Sequence, residues 1–265
     1  YARESKTAVI IGAGPIGLET AAALTKLKLK VTIIEALPRL LPRQLDTAAA
    51  GLMKKELEEK FGFSFFLNSQ CQEITGNGKA TGVLLATGQV IPGDLIIVSA
   101  GIRPKLDLAK AIGLKTERGI AVDEHMETSR SGIYAAGDVA EFNGMVYGLW
   151  PAAQQQGEVA GVNMAGGKQE YGGTVPSNAL SILGINVMSA GDIDVEGKHQ
   201  GLVKEDKANY TYRKYVVSND ILIGTVLLND IRGGGEIMGA IRQKKNVLPY
   251  KDAILQDSFD FKSLS

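Results

Sequence analysis

The segment KTAVIIGAGPIGLETAAALTKLKLKVTIIE, Lys6 to Glu35, constrains the fold more than any other part of the chain. Thr7 to Ile11 is a short apolar run rich in β-branched residues, without polar alternation, which suits a parallel strand buried on both faces. Gly12, Gly14 and Gly17 then punctuate a turn, and Pro15 stands where the first turn of a helix tolerates it. Ile16 to Leu27 carry apolar residues at helical spacing, and Val31 to Ile34 make a second β-branched strand. Strand, helix and strand in one such stretch form a βαβ unit, whose crossover makes the two strands parallel. The chain therefore opens with an α/β sheet.

The pattern then changes twice. Asp46 is a candidate N-cap for an amphipathic helix reaching Lys60, with Gly62 as its stop. From Phe63 to Val98 short apolar runs are separated by Asn77-Gly78 and Thr87-Gly88, which predicts an antiparallel meander inserted before a buried strand at Leu95 to Val98. A second shift falls near Gly166-Gly167. Beyond it, Tyr210 to Val217 and Ile221 to Leu228 flank Asn219-Asp220 as a hairpin, and a glycine cluster leads into a helix over Glu236 to Lys244. Residues from about Lys168 onward read as a separate α+β unit.

Three glycines at this spacing arise easily by chance in a chain with 32 glycines among 265 residues, so the context carries the argument. Here the turn follows a strand and opens a helix. Gly12 permits the tight turn, Gly14 lets the backbone approach a pyrophosphate, and Gly17 lets helix and strand pack closely. The helix N-terminus offers unpaired N–H groups to the phosphates. Glu35, at the end of the second strand, can accept hydrogen bonds from ribose hydroxyls and would repel a 2′-phosphate, favouring NAD over NADP. Arg39 and Arg43 lie close by in sequence and act against that preference, because an arginine there can meet a phosphate.

Composition excludes several classes. Lysine plus arginine equals aspartate plus glutamate at 29 each, so no global field directs the chain to nucleic acid or membrane. No apolar run approaches the ~20 residues of a membrane helix, and the N-terminus shows no basic-then-apolar signal pattern. Cys71 is the single cysteine, which removes an intrachain disulfide and a Cys-rich metal site. It reads as a small residue at a half-buried strand position, and a cytoplasmic location is expected. His125 and His199 are far apart without cysteine neighbours, so no metal site is expected.

A second signature is SGIYAAGDVAEF, Ser131 to Phe142. It reads as a short apolar strand ending in Gly137-Asp138. The Asp138 carboxylate can either cap the following turn or reach a ligand hydroxyl in an open α/β crevice. The order GAGPIGLE, Glu35, SAGIRP (Ser99 to Pro104) and VDEHMETSRSGIYAAGD closely resembles the FAD-dependent pyridine nucleotide-disulfide oxidoreductases of the two-dinucleotide-domain type. Among them it is most similar to NADH-dependent rubredoxin reductases, NADH oxidases and the flavin part of nitrite reductase large subunits.

That resemblance implies a Rossmann-like NAD-binding domain with an inserted meander (1–117), the C-terminal part of an FAD-binding domain (118–167) and a C-terminal α+β domain (168–265). It implies that Gly12, Gly14, Pro15, Ile16, Gly17 and Glu35, with Arg43 nearby, hold NADH. Glu19 would lie near the nicotinamide–flavin contact, and Gly101 would border the NAD site. Gly137 and Asp138 would meet the ribityl chain of FAD. The helix starting after Leu149, with Pro151 and Ala152 in its first turn, would point its N-terminus at the flavin, where the dipole favours negative charge.

The implied activity takes hydride from NADH to FAD and passes electrons to a small acceptor or a protein such as rubredoxin. The alternative is a non-catalytic NAD-binding module, or a subunit completed by another chain. The family normally has an earlier βαβ unit with its own glycine turn, and in this chain the turn at Gly12 is the one such turn. The resemblance therefore implies a fragment of a longer flavoprotein, with weak FAD affinity and little activity by itself. The C-terminal unit would contribute to acceptor choice or to a homodimer. The basic run Arg242 to Lys245 reads either as a solvated helix end or as a docking patch for an acidic carrier.

Overall fold

The computed structural model describes residues 1–264. β1 (Thr7–Ile11) leads into the glycine turn, α1 (Pro15–Lys26) follows with proline in its first turn, and β2 (Lys30–Ile34) returns parallel to β1 with Ile10 opposite Ile33. Asp46 caps α2 (Thr47–Phe61) by accepting from the Ala49 N–H at 3.0 Å. Gly62 ends that helix in the left-handed region at φ 69°, as a C-terminal glycine does. β3 (Ser64–Phe66) comes next, then β4 (Cys71–Gly76), β5 (Ala80–Leu85) and β6 (Val90–Pro92), and finally β7 (Leu95–Val98). The parallel sheet has the order β3-β2-β1-β7, and β4-β5-β6 form a separate antiparallel meander turning at the two predicted glycine turns.

Two details depart from the sequence pattern. Ser64–Phe66 belongs to the parallel sheet beside β2 and not to the meander, because no turn separates it from α2's return to the sheet. β7 is half-buried to exposed along its length and not buried. It is an edge strand of this sheet, so one side lacks a neighbour.

The chain continues through α3 (Asp107–Ala111), β8 (Ile120–Val122), β9 (Ala140–Phe142) and α4 (Trp150–Met164). β8 and β9 pair in parallel. A five-stranded antiparallel sheet follows, from β10 (Ser177–Ile182), β11 (Ile185–Gly191), β12 (Gln200–Asp206), β13 (Thr211–Ser218) and β14 (Ile221–Leu228), in the order β10-β11-β14-β13-β12. The β13–β14 turn has Asn219 at φ 49° and Asp220 at φ 62°, the paired positive values that a two-residue hairpin of matching twist needs. α5 (Gly234–Arg242) starts two residues before the predicted helix and ends two before it.

The chain forms two compact units. One joins Tyr1–Gly101 to the stretch that begins at Ser177, and the other is Ile102–Pro176. In the first, Ile182, Val187, Val226 and Leu228 of the antiparallel sheet are buried in the same apolar cluster as Leu18, Leu40, Leu41, Leu45 and Met53. The parallel and antiparallel sheets thus share one core in that unit. Composition separates them near residue 168, whereas packing joins them.

Candidate cofactor sites

In the first unit, β1 brings the chain to the carboxyl edge of the parallel sheet, where Gly12 takes φ 110°. A Cβ on Gly12 would stand 2.2 Å from the Ser99 carbonyl oxygen, and one on Gly17 would stand 2.1 Å from the Gly12 carbonyl oxygen. Both positions are closed to any side chain. Gly14 differs. Its φ is −76°, and no atom lies within 4 Å of a Cβ built there. Internal packing gives no reason for glycine at this position, whereas close approach of a ligand to the backbone does. No side chain caps α1, so its first-turn N–H groups lack intrahelical partners at the positive end of the dipole.

Glu35 is half-buried directly after β2. Its Oε2 accepts from the Ala13 N–H at 2.8 Å and its Oε1 from the Leu37 N–H at 2.9 Å. These two bonds fix the carboxylate against the glycine turn and leave acceptor capacity for hydroxyls. Arg39 donates through Nε to the Leu45 carbonyl at 3.0 Å and through Nη2 to the Pro42 carbonyl at 2.9 Å, so it braces the loop. Arg43 is exposed and makes no hydrogen bond or ion pair among the described residues. Of the two nearby arginines, Arg43 has the uncommitted guanidinium. Ile16 and Glu19 are exposed on α1, and Gly101, at φ 88°, is exposed with no atom within 4 Å of a built Cβ.

In the second unit, Gly137 has φ 79°, and a Cβ there would lie 3.5 Å from that of Ala153 on α4. The residues before it do not form the predicted strand. Tyr134 makes one isolated bridge to Glu127, Gly137–Val139 is a 3-10 turn, and β9 begins only after Asp138. The left-handed glycine breaks the extended run, so the strand follows the acid instead of preceding it. The Asp138 side chain is exposed and has no partner among the described residues. α4 has Pro151 in its first turn, Ala152 fully buried, and no side-chain cap at Leu149.

The residue that positions Gly137 is Gln156, which sequence reading passed over. Its Oε1 accepts the Gly137 N–H at 2.8 Å, and its Nε2 is buried without a hydrogen-bond partner among the described residues. A buried donor left so costs about 1–3 kcal/mol, which a polar ligand atom in reach would recover. The run Gln154-Gln155-Gln156 hides this residue, but helical spacing from Ala152 through Gln156 to Val159 and Ala160 marks the buried face. Open backbone at Gly14, uncapped α1 and α4, unpaired Asp138 and the spare Gln156 amide all suit anionic and hydroxyl-bearing ligands.

Comparison with known proteins identifies the family. Residues 1–157 match the pyridine nucleotide-disulphide oxidoreductase model, and residues 176–245 match the rubredoxin NAD+ reductase C-terminal domain. The chain belongs to the pyridine nucleotide-disulphide oxidoreductase family. Members of this family are FAD-dependent oxidoreductases that use NAD(H). The chain is 35% identical over 256 residues to the assimilatory nitrate reductase electron transfer subunit of Bacillus subtilis, covering 96% of this chain and 33% of that protein. It is 34% identical over 254 residues to the NADH-rubredoxin oxidoreductase of Clostridium acetobutylicum, covering 94% of this chain and 62% of that one. A ferredoxin reductase of the CYP199A2 system from Rhodopseudomonas palustris superposes with a TM-score of 0.85 at 28% identity, over 99% of this chain and 65% of that chain. This family member thus spans between about a third and two thirds of these relatives' lengths.

No helix among the described residues is long and apolar enough to cross a membrane, and no cluster among them has the make-up of a metal site. A cavity of about 370 Å³ beside the antiparallel sheet is lined mostly by charged residues, several of which pair with one another. Arg213 meets Asp230 at 2.9 Å, Arg232 meets Asp230 at 2.7 Å, and Lys204 meets Asp257 at 2.8 Å.

Proposed function

We propose that this chain is the nicotinamide-binding part, and a portion of the flavin-binding part, of an NADH-dependent oxidoreductase that passes electrons to a protein or small acceptor. The observation that carries the reading is the glycine turn. Gly12 and Gly17 are fixed by internal contacts, Gly14 is open, and Glu35 is held against the same turn. The backbone at Gly14 and the N–H groups of Ile16 and Gly17 in the first turn of α1 receive the pyrophosphate, with Pro15, which has no N–H, fixing the helix start against it. Glu35 accepts from ribose hydroxyls and disfavours a 2′-phosphate, against which Arg43 works in the opposite direction. Glu19 and Gly101 border the nicotinamide.

In the second unit Gly137 and Asp138 bind hydroxyls of the ribityl chain. The first turn of α4, through Pro151 and Ala152, offsets negative charge on the flavin. Bound FAD would supply the two-electron acceptor for the nicotinamide hydride, and the chain's own side chains position cofactors without acting as nucleophiles. The names of the relatives point to rubredoxin or a similar redox protein as the acceptor class. We place the activity in the cytoplasm, where the lone Cys71 thiol stays reduced.

Titration calorimetry with NADH and NADPH tests the reading. NADH should bind about tenfold or more tightly than NADPH, a difference of about 1.4 kcal/mol per decade. Equal affinities would remove the role given to Glu35, and no binding of either would remove the nicotinamide reading altogether.

A further inference from the structure

We propose that Tyr212 and Lys214, on the antiparallel sheet, are positioning residues for the nicotinamide dinucleotide, acting through Asp46. The inference rests on the reading of the glycine turn given above. Asp46 stands at the joint between the irregular loop after Glu35 and α2, and its two carboxylate oxygens have different jobs. Oδ1 caps α2 through the Ala49 N–H. Oδ2 accepts from the Tyr212 hydroxyl at 2.8 Å and lies 3.2 Å from the Lys214 ammonium. Lys214 places its remaining donors on the Ile193 and Asp194 carbonyls, at 3.1 and 3.2 Å. All three of its N–H groups are therefore matched. The pair is buried on both sides, so bulk salt screens it little.

From this joint the contacts run straight to the candidate site. Leu45, next to Asp46, gives its carbonyl to the Arg39 side chain. Leu45 in turn donates its N–H to the Leu41 carbonyl at 2.9 Å, and Leu41, at φ 44°, donates its own N–H to the Ala13 carbonyl at 3.0 Å. Ala13 is the residue whose N–H holds Glu35. One residue of the glycine turn is thus gripped on both polar groups, once by the proposed ribose acceptor and once by the loop that Asp46 anchors. Leu41 holds a conformation that a leucine adopts only under constraint. Releasing Asp46 from the sheet frees the end of this loop, with a direct consequence for Ala13 and Glu35.

A second tie between the same helix and the same sheet provides an internal control. Asn229 donates to the Glu56 carboxylate at 2.8 Å, ten residues and about 15 Å further along α2, and among the described residues neither side chain hydrogen-bonds to the loop. Variants Tyr212→Phe, Lys214→Met and Glu56→Ala of the full chain should be compared by NADH calorimetry and thermal unfolding. All three should lower the midpoint. Tyr212→Phe and Lys214→Met should also weaken NADH binding by about fivefold or more, within the usual range of site-to-site coupling. Glu56→Ala should leave NADH affinity within twofold of the parent. Reciprocity requires that NADH slow amide exchange in β13 of the parent and do so less in Tyr212→Phe.

Unchanged NADH affinity in Tyr212→Phe would overturn the inference, as would equal weakening by Glu56→Ala. Tyr212→Phe removes a single hydroxyl and decides the matter even if Lys214→Met does not fold. A parent chain that binds no NADH would overturn the reading of the turn, and this inference with it. A parent that binds while the variants bind equally overturns this inference alone.

Discussion

The N-terminus of α2 and those of α1 and α4 are built in opposite ways. At α2 a side chain closes the helix: Asp46 caps it, and Tyr212 and Lys214 saturate the cap's other oxygen. At α1 and α4 the N-cap residues are Gly14 and Leu149, neither of which offers a capping group. Each of these two ends is bordered by a left-handed glycine and a carboxylate, Gly12 with Glu35 and Gly137 with Asp138. A satisfied helix end is part of the scaffold, and an unsatisfied one has its charge preference left for something else. The comparison separates the helix that holds the fold from the helices whose open ends are proposed to face cofactors.

The largest effect should come from opening the closed end. Asp46→Ala removes a cap and leaves the Lys214 ammonium buried without its counter-charge, and should cost about 3–5 kcal/mol in denaturant unfolding. A loss below about 1 kcal/mol would show that α2 is no better tied than the other helices. Next, Gly14→Ala should sharpen the contrast in the opposite sense. Its Cβ meets nothing within 4 Å, so no clash arises, and exchanging an N-cap glycine for alanine should cost no more than about 1 kcal/mol. NADH affinity should nonetheless fall by about tenfold, equivalent to about 1.4 kcal/mol. Retained affinity would mean that no phosphate comes near Gly14.

Closing an open end is the third test. Leu149→Asp supplies α4 with a cap and should raise stability by about 0.5–1 kcal/mol. It should weaken any FAD binding seen by visible absorption, because a carboxylate then occupies the amides. Stronger FAD binding would contradict the assignment of that helix end.

The smallest effect concerns the self-paired cavity, a third way of handling charge. Arg232 first, then Arg213, hold the Asp230 carboxyl well below the usual carboxylate range. A depressed folded-state pKa means stability that is present above the unfolded value of about 4 and is lost as the pH falls below it. Asp230→Asn should flatten that acid limb of the stability curve while leaving the neutral range less affected, read by unfolding from pH 6 to pH 2.

Most of the parallel sheet was legible because its signals are local. A β-branched run, a glycine at a positive φ and a proline in the first helical turn each act within a few residues, as at Thr7–Ile11, Gly12 and Pro15. The Asn219-Asp220 hairpin was legible for the same reason. The edge position of β7 and the parallel pairing of β3 depend on which strands lie beside them, which no local pattern records. The same holds at the candidate sites. Glycine spacing and the acid after β2 could be read, but the commitment of Arg39 to loop carbonyls and the Gln156 grip on Gly137 arise from packing. Asp46 was legible as a cap and illegible as the partner of Tyr212, 166 positions away.

The first unit is discontinuous in sequence, and this sets an order of events during synthesis. More than a hundred residues separate α2 from the strands that cover Leu40, Leu41 and Leu45. At bacterial-to-eukaryotic elongation rates of about 5–20 residues per second, that apolar face waits on the order of ten seconds for its partner. The parallel sheet is therefore made before the strands that complete its core. In that interval Leu40, Leu41 and Leu45 lack the strands that bury them, and Asp46 lacks the Tyr212 hydroxyl and the Lys214 ammonium.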